Sequence, residues 1–150
     1  MRSTLTPIII VLALSTPASA QVVDACTIFT AAMAQAIVGV PVTQSRNTPG
    51  RASGSCEFKD TSGTEIILFT LWRLPSAEEG SRYLEAELKT ATGVRGGTAE
   101  KIPNLGDEAY YLSTTWSLYV RKGVAWFSFG YPFIKKEVLI DLARKVAPKL

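Results

Sequence analysis

The sequence contains no histidine. That absence removes the Ser-His-Asp and Cys-His arrangements of nucleophilic catalysis, and with them the side chain that most often ligates a metal. Cysteine is also scarce. Cys26 and Cys56 are the only two, and they do not form the C-x-x-C of a redox pair or supply enough ligands for a metal site. No G-x-G-x-x-G or Walker pattern occurs. Gly93, Gly96 and Gly97 lack both the spacing and the strand-to-helix setting, and no S-x-x-K stands where a Ser-Lys site would need it. The 16 Lys and Arg and 13 Asp and Glu are interspersed, so the net charge of +3 forms no cluster that would bind nucleic acid. Nothing points to a cofactor.

Long apolar runs are missing too, apart from residues 7–14, PIIIVLAL. A bilayer-spanning helix needs about 20 apolar residues, so this run is too short to cross. It follows Arg2 and precedes Ala18-Ser19-Ala20, a small-residue cleavage site, with Pro17 just ahead. Positive start, apolar centre and cleavage site in that order predict a secretory signal over residues 1–20. The mature chain, residues 21–150, then suits a single domain with one core and no membrane span. In an exported chain an even cysteine count suggests one disulfide, Cys26–Cys56; two buried thiols or a redox pair are the alternatives.

Local signals outline the fold. Asp24 and Thr30 are candidate N-caps, and the alanine-rich residues 31–38 favour a helix that stops at Gly39 and Pro41. Residues 42–55, rich in Thr, Ser, Gly, Pro and Arg, read as a loop. A half-buried strand begins at Cys56, Asp60-Thr61-Ser62-Gly63 has turn chemistry, and residues 64–72 are apolar on both faces, as in a strand covered on both sides. Ser76-Ala77-Glu78-Glu79 fits a capping box for a helix to about Ala91. Its inward stripe holds Leu84 and Leu88, and Glu78/Arg82 and Glu85/Lys89 are placed as i,i+4 pairs. A loop over residues 91–107 leads to strands at 108–113, 116–121 and 124–131, and an amphipathic helix spans 134–146. The expectation is an α+β fold with a five-stranded antiparallel sheet, helices packed on it, in the order α-β-β-α-β-β-β-α.

Candidate functional residues are few. Asp107 and Glu108 are adjacent carboxylates, but neighbours in an extended segment point to opposite faces and would not share a site. Trp116, Tyr119, Trp126, Phe127, Phe129 and Tyr131 put rings on both faces of the last hairpin. They serve as core filler, lie under a helix on the far face, or form an apolar binding surface. The two long loops carry Arg46, Arg51, Arg95 and Lys101 with few acidic residues, so Arg46, Arg51 and Arg95 are candidates for binding an anionic group.

Four short segments carry a resemblance: Asp24-Ala25-Cys26-Thr27-Ile28-Phe29-Thr30 with Gly39, Gly54-Ser55-Cys56-Glu57-Phe58, Leu105-Gly106-Asp107-Glu108-Ala109-Tyr110, and Val120-Arg121-Lys122-Gly123. Together they resemble a large family of small exported bacterial proteins of unknown function, many of them lipoproteins. The resemblance implies a PsbP-like α/β/α sandwich and supports pairing Cys26 with Cys56, but it implies no activity. No lipid-acceptor cysteine stands at the leader here, so tethering is not carried over. The sequence therefore reads as a periplasmic or secreted, non-enzymatic module that binds an envelope protein or a small ligand. A carrier of a small apolar ligand, or an enzyme with a hidden carboxylate- or serine-based site, is the alternative. The mature protein is expected to begin at Gln21. Intact mass of material exported by its native host checks this, and a retained leader or an added lipid mass would contradict it.

Overall fold

A computed structural model describes residues 22–130 and 134–150, without the side chains of residues 94 and 95. The leader and its cleavage site lie outside the described residues. The described residues open with two short helices, α1 (Ala25–Ile28) and α2 (Ala31–Val38), capped as their sequences suggest. Asp24 accepts the Cys26 N–H at 3.1 Å, Thr30 accepts the Met33 N–H at 3.4 Å, and Gly39 ends α2 at φ 74°. Three strands follow: β1 (Val42–Thr48), β2 (Ser53–Asp60) and β3 (Glu65–Arg73). Helix α3 (Ala77–Arg95) leads to β4 (Ala99–Lys101), β5 (Glu108–Leu112), β6 (Ser117–Lys122) and β7 (Ala125–Gly130). Helix α4 (Lys136–Val146) and a 3-10 turn, Ala147–Lys149, end the chain.

The sheet has seven strands, in the order β1-β2-β3-β7-β6-β5-β4, all antiparallel. This corrects the five-stranded expectation, although the α+β class holds. Both extra strands are edges. In β1 only Val42 is buried, so its sequence VTQSRNT carries no apolar alternation; the backbone ladder to β2 makes it a strand. β4 is three residues long, too short for periodicity to register. Most of the segment 42–55 is therefore strand, the segment 91–107 holds the end of α3 and β4 with turns elsewhere, and α3 itself continues past Gly93 to a left-handed cap at Gly96.

The two faces of the sheet are packed differently. On the near face, Phe58, Ile67, Phe69, Leu71, Phe127 and Phe129 meet the fully buried Phe29, which closes α1, and Leu139 and Leu142 of α4. Phe29 sits 5.0–5.3 Å from the rings of Phe58, Phe69 and Phe129. Residues 23–25 cross this face closely: a Cβ on Gly54 would run into the Val23 carbonyl, so only glycine admits the crossing. On the far face, Trp72, Tyr119, Trp126 and Leu112 meet Leu84 and Leu88 of α3. The rings of Phe127 and Phe129 are thus core on one face and those of Tyr119 and Trp126 lie under a helix on the other; Tyr131 is outside the described residues. Among the described residues no helix is long and apolar enough to cross a membrane.

Cys26 and Cys56 stand at disulfide distance, with S–S 2.08 Å and Cα–Cα 5.1 Å, joining α1 to β2. The bond closes a loop with a sequence separation of 30. On the chain-entropy account, such a loop contributes about 3–4 kcal/mol. The double substitution Cys26→Ser/Cys56→Ser is expected to lower unfolding free energy by about that amount in urea titrations. A loss under about 1 kcal/mol, or free thiols in the unfolded, unreduced protein, would contradict it.

Candidate functional site

Helix α3 sets the geometry of the far face. Ser76 accepts the Glu79 N–H at 3.1 Å, and Glu78 and Glu79 fall in the first turn, where the helix dipole favours acidic side chains. The first turn rests on β6: a Cβ on Gly80 would lie 3.4 Å from Cδ of Arg121. At the other end, Gly97 abuts Thr114 in the β5–β6 turn, so α3 runs lengthwise along the central strands and packs on β6 and β7.

An ionic latch holds the beginning of α3. Arg121, whose side chain is only 11% exposed, donates to Asp107 at 3.2 Å and to Glu108 at 3.0 Å. Ser81 of α3 donates to the same Glu108 oxygen at 3.0 Å. Asp107 also accepts the Gly123 N–H at 2.7 Å and the Lys122 ammonium at 3.2 Å, pinning the β6–β7 turn. Asp107 and Glu108 therefore share one partner, contrary to the alternation argument. Alternation holds within a strand, but Asp107 precedes β5 and follows Gly106, which turns the chain at φ 62° and approaches the Arg121 carbonyl too closely for a side chain.

Width explains the rest of the far face. Seven strands span roughly 29 Å at the usual strand spacing, while one helix covers about 10–12 Å. Both flanks of α3 are consequently open. One is a groove of about 530 Å³ lined by Leu74, Tyr83 and Ala86, with Glu79, Arg82 and Glu87 around it. Tyr83 is 55% exposed, and its ring lies 6.3 Å from Trp126, which is parallel to Trp72 at 3.7 Å. No ion pair among the described residues engages Glu79, Arg82 or Glu87, and the expected pairs Glu78/Arg82 and Glu85/Lys89 do not close. The other flank is a polar cleft of about 590 Å³ between α3 and β5, with Ser81, Glu85, Lys101, Glu108 and Tyr110 over Leu84 and Leu88.

The arginines singled out from the sequence do not converge. Arg46 lies on β1 and pairs with Glu57 at 3.3 Å, and Arg51 is exposed in the β1–β2 turn. The backbone of Arg95 ends α3 near the opposite corner of the sheet, beside the Gly97–Thr114 contact, and its side chain is outside the described residues. Lys101 is in the polar cleft. Of the aromatic candidates, Trp116 is exposed on the β5–β6 turn, whereas Tyr119, Trp126, Phe127 and Phe129 are buried. The groove residues Leu74, Tyr83 and Ala86 went unnoticed in the sequence. Their only signal is the spacing of Tyr83, Ala86 and Thr90 beside the buried Leu84–Leu88 stripe.

No protein-family model matches the chain, and no similar curated protein or solved structure was found. Among the described residues no group of three or more His, Cys, Asp or Glu is placed to hold a metal ion. Glu108, the carboxylate that faces Ser81, is tied to Arg121, which makes it a structural acceptor before it is a base.

The latch has a pH dependence of defined sign. The Gly123 N–H holds the Asp107 carboxyl below the ordinary aspartate value; partial burial opposes this, and Lys122 and Arg121 add to the lowering. A carboxyl whose folded pKa is depressed stabilises the fold above its unfolded pKa, about 3.9, and the contribution fades as pH falls further. Asp107→Asn is expected to melt roughly 2–4 °C lower than the parent at pH 7, with the gap narrowing as the pH is taken progressively below about 3.9. An unchanged gap over that descent would remove the charge from the explanation.

Proposed function

We propose that the protein is an exported, non-enzymatic binding module that holds its ligand in the groove on the Tyr83 flank of α3. One observation carries this reading: a groove of about 530 Å³ walled by Leu74, Ala86 and the ring of Tyr83, which is 55% exposed. Its size falls in the usual range for small-ligand sites, and an accessible aromatic ring with unpaired polar groups around it suits a ligand that has one apolar face. Cysteines at disulfide distance are compatible with an oxidising compartment, which supports export. Kinship with the small exported proteins that the sequence resembles belongs to the same proposal. The partner is then a small ligand, or an envelope molecule that presents one.

Tyr83 is the residue to test. Tyr83→Ala is expected to keep the parent's melting temperature, because more than half of the side chain is in solvent. It should weaken binding of the neutral apolar dye Nile red by roughly fivefold or more, the scale of losing an aromatic anchor. Fluorescence titration measures both proteins directly. A parent that does not bind the dye, or a variant that binds it equally well, would refute the groove as the binding site.

A further inference from the structure

The groove on the Tyr83 flank is lined along α3 by two rows of side chains. Glu79, Tyr83 and Glu87 are spaced i, i+4 and i+8, and so are Arg82, Ala86 and Thr90, so the members of each row stand one above another. The first row sets an aromatic ring between two carboxylates, each about 6 Å away along the helix axis.

Charge is distributed unevenly between the inside of the groove and its margin. Glu79 and Glu87 are half-buried, whereas Arg82 is exposed. Two carboxylates against one guanidinium give the lining a net charge of −1, in a chain whose own net charge is +3. Helix position accounts for one of the two acids. Glu79 stands in the first turn, where the helix dipole favours it, but Glu87 lies two turns further on, outside the reach of that effect. A carboxylate drawn partly out of water beside apolar side chains is stabilised by an opposite charge. The polar cleft on the other flank differs in this respect, because Asp107 and Glu108 there already have Arg121 and Lys122 as counter-ions. Tyr83 acts in the same sense as the acids. The face of an aromatic ring is negative and attracts a cation within about 6 Å of its centroid, and this ring is 55% exposed.

We propose that the groove takes an organic monocation: an ammonium or similar group on an aromatic or alkyl body. The cation lies between the carboxylates and the Tyr83 ring, and the body lies against Leu74 and Ala86. The proposal rests on the groove reading and adds the charge of the ligand. A volume of about 530 Å³ has room for a ring and a short chain. An anion would meet a lining of its own sign, with Arg82 alone to oppose it at the exposed margin.

The test is calorimetric titration with 4-phenylbutylamine, 4-phenylbutanol and 4-phenylbutyrate, which share a ring and a chain and differ in terminal charge. At pH 7 and low salt the parent should bind them in that order, the amine roughly threefold or more tighter than the alcohol. Glu87→Gln, which keeps the side-chain shape, should weaken the amine roughly threefold and leave the alcohol unchanged. Arg82→Gln takes the lining from −1 to −2 and should tighten the amine, which keeps the test open even if the first variant folds poorly. Added salt should shrink the difference between amine and alcohol. Equal binding of amine and alcohol, a preference for the butyrate, or an amine affinity that neither variant changes would overturn the proposal. Nile red separates it from the groove reading. Dye binding that depends on Tyr83, with no preference for the amine, keeps the groove and removes the cation. Amine binding that Glu87→Gln weakens, with no dye binding, keeps the cation site and removes the groove as an apolar one.

Discussion

The ladder between β3 and β7 is the seam on which this structure depends. β1, β2 and β3 form one antiparallel meander and β4 to β7 form another, and within the sheet the two meet only where β3 pairs with β7. The pairing sets Phe69 opposite Phe129 and Trp72 opposite Trp126. Because side chains alternate with period two, a slip of one residue would send the phenylalanines to the far face and the tryptophans to the near one. Both cores resist that slip. Phe69 and Phe129 lie 5.0 Å apart within the near-face cluster, and the two indoles stack at 3.7 Å beneath α3.

The path of α3 follows from that seam. The chain leaves β3 at the centre of the sheet and must reach β4 at its edge, and α3 is the connection that carries it there over the far face. A single helix cannot screen a sheet of this width. The near face, by contrast, has α1, α2 and α4 to cover it. The asymmetry makes one side a closed core and leaves two open flanks on the other. The latch of Arg121 with Asp107, Glu108 and Ser81 sets where the helix begins, and so divides the open surface between an apolar flank and a polar one.

Where local chemistry decides structure, the sequence was readable. Asp60 accepts the N–H groups of Ser62 and Thr64 in the β2–β3 turn, and Thr30, Gly39 and Ser76 cap their helices as their types suggest. Elements set by partners rather than by their own pattern were not. β1 has nearly every side chain in solvent, so nothing in VTQSRNT distinguishes it from a loop until β2 lies beside it. The continuation of α3 past Gly93 was hidden as well, because glycine inside a helix is costly but not prohibitive. The groove was least legible of all. Tyr83, Ala86 and Thr90 look like an ordinary solvent face, and become a wall only once α3 is laid on a sheet wider than itself.

The link between α1 and β2 also has a mechanical meaning. The first described residues are stitched to the β1–β2 turn by the Val23–Gly50 bridge, and three residues later Cys26 reaches Cys56 in β2. Tension applied at the beginning of the chain would cross that sulfur–sulfur link into a strand with neighbours on both sides. The load bypasses β1, which as an edge strand is held by a single ladder and could be peeled away one hydrogen bond at a time. Oxidation thus turns a weak pulling geometry, unzipping from an edge, into a strong one that loads the interior of the sheet through a covalent anchor.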